Sequence, residues 1–301
     1  MRLILFVVVN LVLLVGPAVA DPSATLPPSQ VTIEARQEEL KNRVSAFVGD
    51  VMSQDAGSMG EPIAVWNWPL CFSVSGLPKE EAVYVLNRIS KDAEIVGAPL
   101  AKDERGCHPN FVVIVTPEPE KVLRAWYHRN QLIYNCAFPW PVNDFVGTPQ
   151  PVRVWYNLDL TLALPGPPGA VDPAHAVHSL YKKCARTPIA GGRLGTARTL
   201  YGLVPDFLSV LLVVDLNRVR GYQWSQVADY MALSGLAKIN RQKRDDDAPT
   251  ILNLFSFAGP AAPQELTGWD RAFLKALYNT DQRVAGERVA VVDQMLKNIK
   301  P

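Results

Sequence analysis

Residues 207–215, FLSVLLVVD, restrict the possible folds of this chain more than any other internal segment. A strand with one wet face alternates polar and apolar residues. This run is apolar on both faces, which requires a central position in a sheet covered on both sides. Gly221 then predicts a turn, and the chain continues to Asn240 as a helix dense in small residues: Ala228, Ala232, Ser234, Gly235 and Ala237. Side chains of that size let a neighbouring element come close to the helix. This strand, turn and helix form the expected centre of the scaffold.

The N-terminus carries an address. Arg2 precedes an apolar run from Leu3 to Val15, broken only by Asn10, and Ala18-Val19-Ala20 matches the small-x-small pattern cut by signal peptidase. The run is shorter than the roughly 20 residues that cross a bilayer as a helix. A signal peptide over residues 1–20 is therefore expected, cut at Ala20-Asp21, giving a periplasmic or secreted protein with no transmembrane segment in the mature chain. Residues 21–30, DPSATLPPSQ, form a polar, proline-rich flexible leader.

Export bears on the cysteines. The chain has 4, Cys71, Cys107, Cys136 and Cys184, and an even number in an oxidising compartment favours two disulfides. Three connectivities are possible. The pairing Cys71–Cys107 with Cys136–Cys184 keeps each bridge within one half of the chain, and each bridge would restrict the unfolded state by about 3–4 kcal/mol. With 30 Lys and Arg against 29 Asp and Glu, the chain carries no charge excess of the kind that binds nucleic acid or an anionic membrane.

Periodicity supplies the remaining elements. Residues 31–52 place Ile33, Leu40, Val44, Phe47, Val48 and Val51 at mostly helical spacing. Residues 63–76, IAVWNWPLCFSVSG, read as a strand with Pro69 at a bulge or edge. Pro78 opens a helix, KEEAVYVLNRISKDAE, with acidic residues in the first turn where the helix dipole favours them. FVVIV at 111–115 is a second strand and 120–129 a second helix, so the alternation predicts a βαβ-type unit. Residues 138–151, FPWPVNDFVGTPQP, read as a proline-broken connection, and 152–164 as a long strand. Pro-rich 165–173, glycine-rich 189–196 and charged 241–247 read as loops; the glycine-rich segment lacks the spacing and lysine of a phosphate loop. Thr267 with Asp270 three residues on forms a capping-box-like start for RAFLKALY, whose face is Phe273, Leu274, Leu277 and Tyr278. A last helix, 287–299, is expected to turn Val289, Val292, Met295, Leu296 and Ile299 inward.

The C-terminal third resembles secreted bacterial zincin-like proteins of poorly characterised function. The resemblance spans about residues 207–296 and rests on Gly235-Leu236 and on LTGWDRAFLKALY at 266–278. In those proteins a helix HExxHxxGL, which supplies two zinc-binding histidines and a water-activating glutamate, precedes a similar second helix. Here Ala228, Asp229 and Ala232 occupy the corresponding positions. Alanine cannot ligate metal, so the resemblance implies a pseudoenzyme whose metal motif is gone. The expected fold class is α+β (mixed α/β): a small N-terminal βαβα unit in residues 31–135, a connecting strand and loop region in 136–206, and a zincin-like sheet-and-helix region in 207–301.

Other chemistry is thinly represented. His175 and His178, with Asp172 near them, are one turn apart and form a weak metal candidate without a third placed ligand. His108 lies beside Cys107, and His128 lies on a helix; neither shows a partner. There is no GxSxG for a serine nucleophile, and Asp206, Asp215 and Asp229 are scattered over strand ends and a helix. Trp66, Trp68, Trp126, Tyr127, Trp140, Trp155 and Tyr156 suit core packing better than a ligand groove at this spacing. The expectation is an exported, disulfide-stabilised protein without a recognisable catalytic centre and with no cofactor, binding an unknown protein or envelope ligand. The competing reading is a hydrolase drawing on Asp229, His175, His178 and Asp172. A third, a lipid or polysaccharide carrier, requires a continuous apolar cavity.

Overall fold

The computed structural model describes residues 28–52, 63–103, 106–129, 139–162, 203–240, 248–256, 262–281 and 287–299. Cys136, Cys184, Asp172, His175, His178, residues 21–27 of the leader and the glycine-rich segment lie outside the described residues, as do the side chains of Tyr127, His128 and Trp140; the last three leader residues, 28–30, are the first turn of a helix and not a flexible segment. The chain forms two compact units, 1–40 and 41–301. The first unit contributes the opening half of helix α1 (Pro28–Val51), in which residues 33–39 are exposed, Ile33 included.

The centre of the second unit is a mixed four-stranded sheet in the order β1-β2-β4-β3. The strands are β1 (Phe72–Ser75), β2 (Phe111–Thr116), β3 (Val152–Leu162) and β4 (Leu203–Asp215). β1, β2 and β4 run parallel, and β3 is antiparallel to β4. The sheet therefore takes strands from each of the three segments distinguished in the sequence. The α+β class expected from the alternation is the one observed, and β1 joins β2 through helix α2 (Lys79–Val96), the parallel βαβ pairing that the spacing predicts.

β4 occupies the covered inner position that its double-sided apolar run demands. Leu211 and Val213, with Ile114 of β2, pack against Leu123 of α3 (Pro119–Arg129) and Val142, Phe145 and Val146 of α4 (Pro139–Gly147). The alternate residues Val210, Leu212 and Val214 are equally buried. Their side of the sheet, with Phe111, faces α5 (Trp224–Leu236), and α2 lies against α5 in turn. Among the described residues no helix is long and apolar enough to cross a membrane.

Three expectations need correction. The segment 63–76 is strand only at β1; Val65 and Leu70 make single bridges to Asp206 and Leu100 and the backbone between them is irregular. The proline-broken 138–151 segment contains α4. Its prolines, Pro139 and Pro141, fall in the first turn, where a helix needs no N–H, so they start the helix instead of breaking it. In the last helix, α7 (Glu287–Asn298), Val289 is 65% exposed, while Val291 joins Val292 and Met295 in the core.

The disulfide expected between Cys71 and Cys107 is present and ties together the chain just ahead of β1 and β2. Asn110 reinforces the same corner: its Oδ1 accepts Cys71 N–H at 2.8 Å and its Nδ2 donates to the Pro69 carbonyl at 3.0 Å. The small residues of α5 have a specific use. Gly235 sits under the Phe111 ring, where an added Cβ would lie 2.3 Å from two ring carbons, and its carbonyl accepts Trp66 Nε1–H at 2.9 Å. Gly235→Ala is expected to cost about 1–3 kcal/mol by overpacking, with part of the loss recovered by adding Phe111→Leu. Urea unfolding midpoints of the three chains test this, and an unchanged midpoint in Gly235→Ala would show that the ring gives way freely.

Candidate functional site

The sequence singles out Ala228, Asp229 and Ala232 as the positions where a metal-bearing helix would hold its ligands. All three lie on α5 with no solvent exposure. Ala228 and Ala232 simply fill core. Asp229 faces α2, and there it meets Arg88, whose Nε donates to Oδ1 and whose Nη2 donates to Oδ2 at 2.8 Å. Leu266 N–H donates to the same Oδ2 at 2.7 Å. The carboxylate is thus held by a two-pronged guanidinium and a backbone amide, the arrangement that makes a buried charge tolerable. Three segments distant in sequence meet at this one side chain.

The surroundings are charged. Arg88 is raised above its ordinary range, first by its hydrogen bond to Asp229 and against the opposing effect of its own burial. Glu265 lies 3.9 Å from Arg88 and 3.4 Å from Arg271 of helix α6 (Gly268–Asn279), so arginines from two helices share one exposed glutamate. Asp92, one turn beyond Arg88 on α2, is buried, and its Oδ2 has no hydrogen-bond partner. Burial pushes its carboxyl up from 3.8 to about 7, helped by the negative charge of Asp229 and opposed by Arg88 and Arg271. Two carboxyl groups side by side with one close cation favour a single shared proton.

The nearby polar groups hold the scaffold together. Asp270, fully buried, accepts Thr250 Oγ1–H at 2.6 Å, Ile251 N–H at 2.8 Å and Thr267 N–H at 2.9 Å, while its own N–H donates to Thr267 Oγ1. The capping box read from the sequence is therefore also a clamp on the short 3₁₀ turn Ile251–Phe255. Burial pushes the Asp270 carboxyl up, against these hydrogen bonds. Asp206 accepts Asn67 N–H at 3.0 Å, and Asp215 accepts Asn217 N–H at 3.0 Å. The aromatics are spent on packing: Trp66 stacks on Phe207 at 5.3 Å, Trp155 packs on Phe145, and Tyr156 O–H donates to the Ser234 carbonyl at 2.6 Å. His108 is exposed beside the disulfide. Among the described residues no three His, Cys, Asp or Glu side chains gather as a metal ion would need.

Sequence reasoning reached Asp229 but missed Arg88 and Asp92. One signal was available. Val85, Ile89, Asp92 and Val96 form the buried stripe of α2, so Asp92 is a carboxyl on an apolar helix face, a placement that demands a partner. No family model, curated protein or solved structure matches the chain.

Two measurements follow from the geometry. Arg88→Met leaves Asp229 buried beside Asp92 without its cation and is expected to lower unfolding free energy by about 3–5 kcal/mol. Asp229→Asn should cost less, because the half-buried arginine can turn to water and an amide oxygen still serves Leu266 N–H. Urea unfolding compares the two, and equal losses would contradict the assignment of Asp229 as the group that needs compensation.

The second measurement concerns pH. Because the folded-state value of Asp92, about 7, exceeds the ordinary 3.8, the folded chain holds a proton that the unfolded chain releases. Its contribution to stability is complete below about pH 4 and is lost as pH rises through 7. The melting temperature is therefore expected to fall from pH 5 to pH 8, and Asp92→Asn to flatten that fall. An identical pH profile in the variant would exclude Asp92 as its source.

Proposed function

We propose that this protein is exported and acts by binding or assembly in the bacterial envelope, with the Arg88–Asp229 centre serving as a structural fastening and not as a catalytic one. The observation that carries the reading is that Asp229 is both buried and paired. Both oxygens are engaged by the Arg88 fork, one of them also by Leu266 N–H, and the side chain has no contact with water. A general base must reach the proton it removes, and this carboxylate is buried and ion-paired. The flanking Ala228 and Ala232 are core residues, in keeping with a zincin-like ancestry in which the ligand positions have been rebuilt for packing. The Cys71–Cys107 bridge supports residence in an oxidising compartment.

One feature would suit a hydrolase instead: burial beside Asp229 pushes the Asp92 carboxyl up to about 7, the range of a general acid working near neutrality. Its burial and its place behind the Arg88–Asp229 pair argue that the proton relieves repulsion between the two carboxyl groups.

The test is made on protein recovered from the exported fraction of the producing cells. The proposal expects an N-terminus at Asp21, no stoichiometric zinc, and no hydrolysis of peptide or ester panels above the level of an Asp229→Asn chain. Stoichiometric zinc that disappears in His178→Ala, or hydrolysis that disappears in Asp92→Asn while the chain stays folded, would replace it with the enzyme reading.

A further inference from the structure

A second charged centre lies at the β3 edge of the sheet, on the face covered by α3 and α4, and it is built the opposite way. Arg153 is the second residue of β3, paired across from Val213, and is 4% exposed. Its Nε donates to the Thr148 carbonyl at 3.0 Å, which fixes the guanidinium plane. Its Nη1 is buried, and among the described residues it has no hydrogen-bond partner and no carboxylate forms an ion pair with the group within 4.0 Å. Burial accordingly pushes Arg153 down from its ordinary range, with Arg218 adding to the effect and Asp215 and Glu120 opposing it.

The two nearby carboxylates each face another cation. Asp215 spends Oδ1 on Asn217 N–H and faces Arg218 Nε at 3.4 Å through Oδ2. Glu120 is held by Arg124 at 2.7 and 3.1 Å. The place also matters. Thr116 and Asp215 end the parallel strands β2 and β4, and α3 begins three residues after Thr116. The carboxyl ends of parallel strands are where open α/β sheets hold ligands, and a buried cation left with an unspent N–H calls for an anion.

We propose that Arg153 anchors a binding site for a small oxyanion, the carboxylate or phosphate group of a ligand, at the carboxyl ends of β2 and β4, with Arg218 as its second donor. Arg218 is half exposed, and its pair with Asp215 is long, so a ligand displaces only a weak surface interaction. The Nη1–Nη2 edge of the guanidinium, which the Thr148 contact leaves unused, carries parallel N–H donors of the kind that match either oxyanion. The site is separate from the Arg88–Asp229 centre and stands whether or not the export and assembly reading holds.

Calorimetric titration of the full chain with inorganic phosphate and, separately, with succinate tests the proposal, with chloride at equal ionic strength as the control. Saturable binding of at least one is expected, weakened at least tenfold in Arg153→Met and several-fold in Arg218→Gln. The tighter of the two identifies the ligand group. Arg218→Gln alters an exposed side chain and keeps the test valid if Arg153→Met fails to fold. An absence of saturable binding, or binding that survives unchanged in Arg218→Gln, would overturn the proposal and leave Arg153 as a structural residue only.

Discussion

A carboxylate with no exposure to water in the middle of a helix is stable only if its partners arrive with it, and Asp229 sets that condition on the second unit. Its partners come from α2, some 140 residues earlier by the separation of 141 between Arg88 and Asp229, and from the amide of Leu266 ahead of α6. Correct placement of α5 therefore requires α2 and the α6 approach to be in register as well. α2 is itself tied to the sheet through β1 and the Cys71–Cys107 bridge, so the condition reaches the sheet edge. A misplaced element would leave a buried charge without compensation, which hydrophobic packing alone does not penalise so steeply.

Apolar packing does the rest, and it too is specific about shape. Phe111 of β2 lies over the bare backbone of Gly235, and Trp66, stacked on Phe207, closes the contact by donating to the Gly235 carbonyl. On the opposite face α3 and α4 cover Ile114, Leu211 and Val213. Far along the chain, Phe47 of α1 packs edge-on against Trp269 and Phe273 of α6, so the helical layer is closed by aromatic contacts as well as by aliphatic ones.

The two charged centres differ in one respect that bears on function. At Asp229 both carboxylate oxygens are engaged and the side chain is buried. At Arg153 one donor is unspent, the neighbouring carboxylates each face another cation, and a second arginine stands half exposed beside it. Satisfied buried groups hold a fold, whereas a buried charge left short of partners has stability in reserve for a ligand. The position to which the zincin-like resemblance pointed has its oxygens engaged, and a position that the sequence reading passed over has a donor to spare.

What the sequence determined by itself was whatever depends on near neighbours along the chain. The double-sided apolar run of β4, the βαβ alternation from β1 to β2, the capping box at Thr267 and Asp270 and the Phe273–Tyr278 face are all written in periods of two or 3.6 residues and in single-turn contacts. The start of α4 was misread for a local reason, since prolines stop helices in the interior but open them at the first turn. Asp229 could be singled out, but Arg88 could not be matched to it, because their meeting depends on how α2 packs on α5 and not on any spacing between residues 88 and 229. The burial of Val291 in place of Val289 has the same origin: α7 is amphipathic either way, and its rotation is set by the surface it lands on. Only the tertiary structure decides which charges face each other, because that depends on distances through space that chain order does not encode.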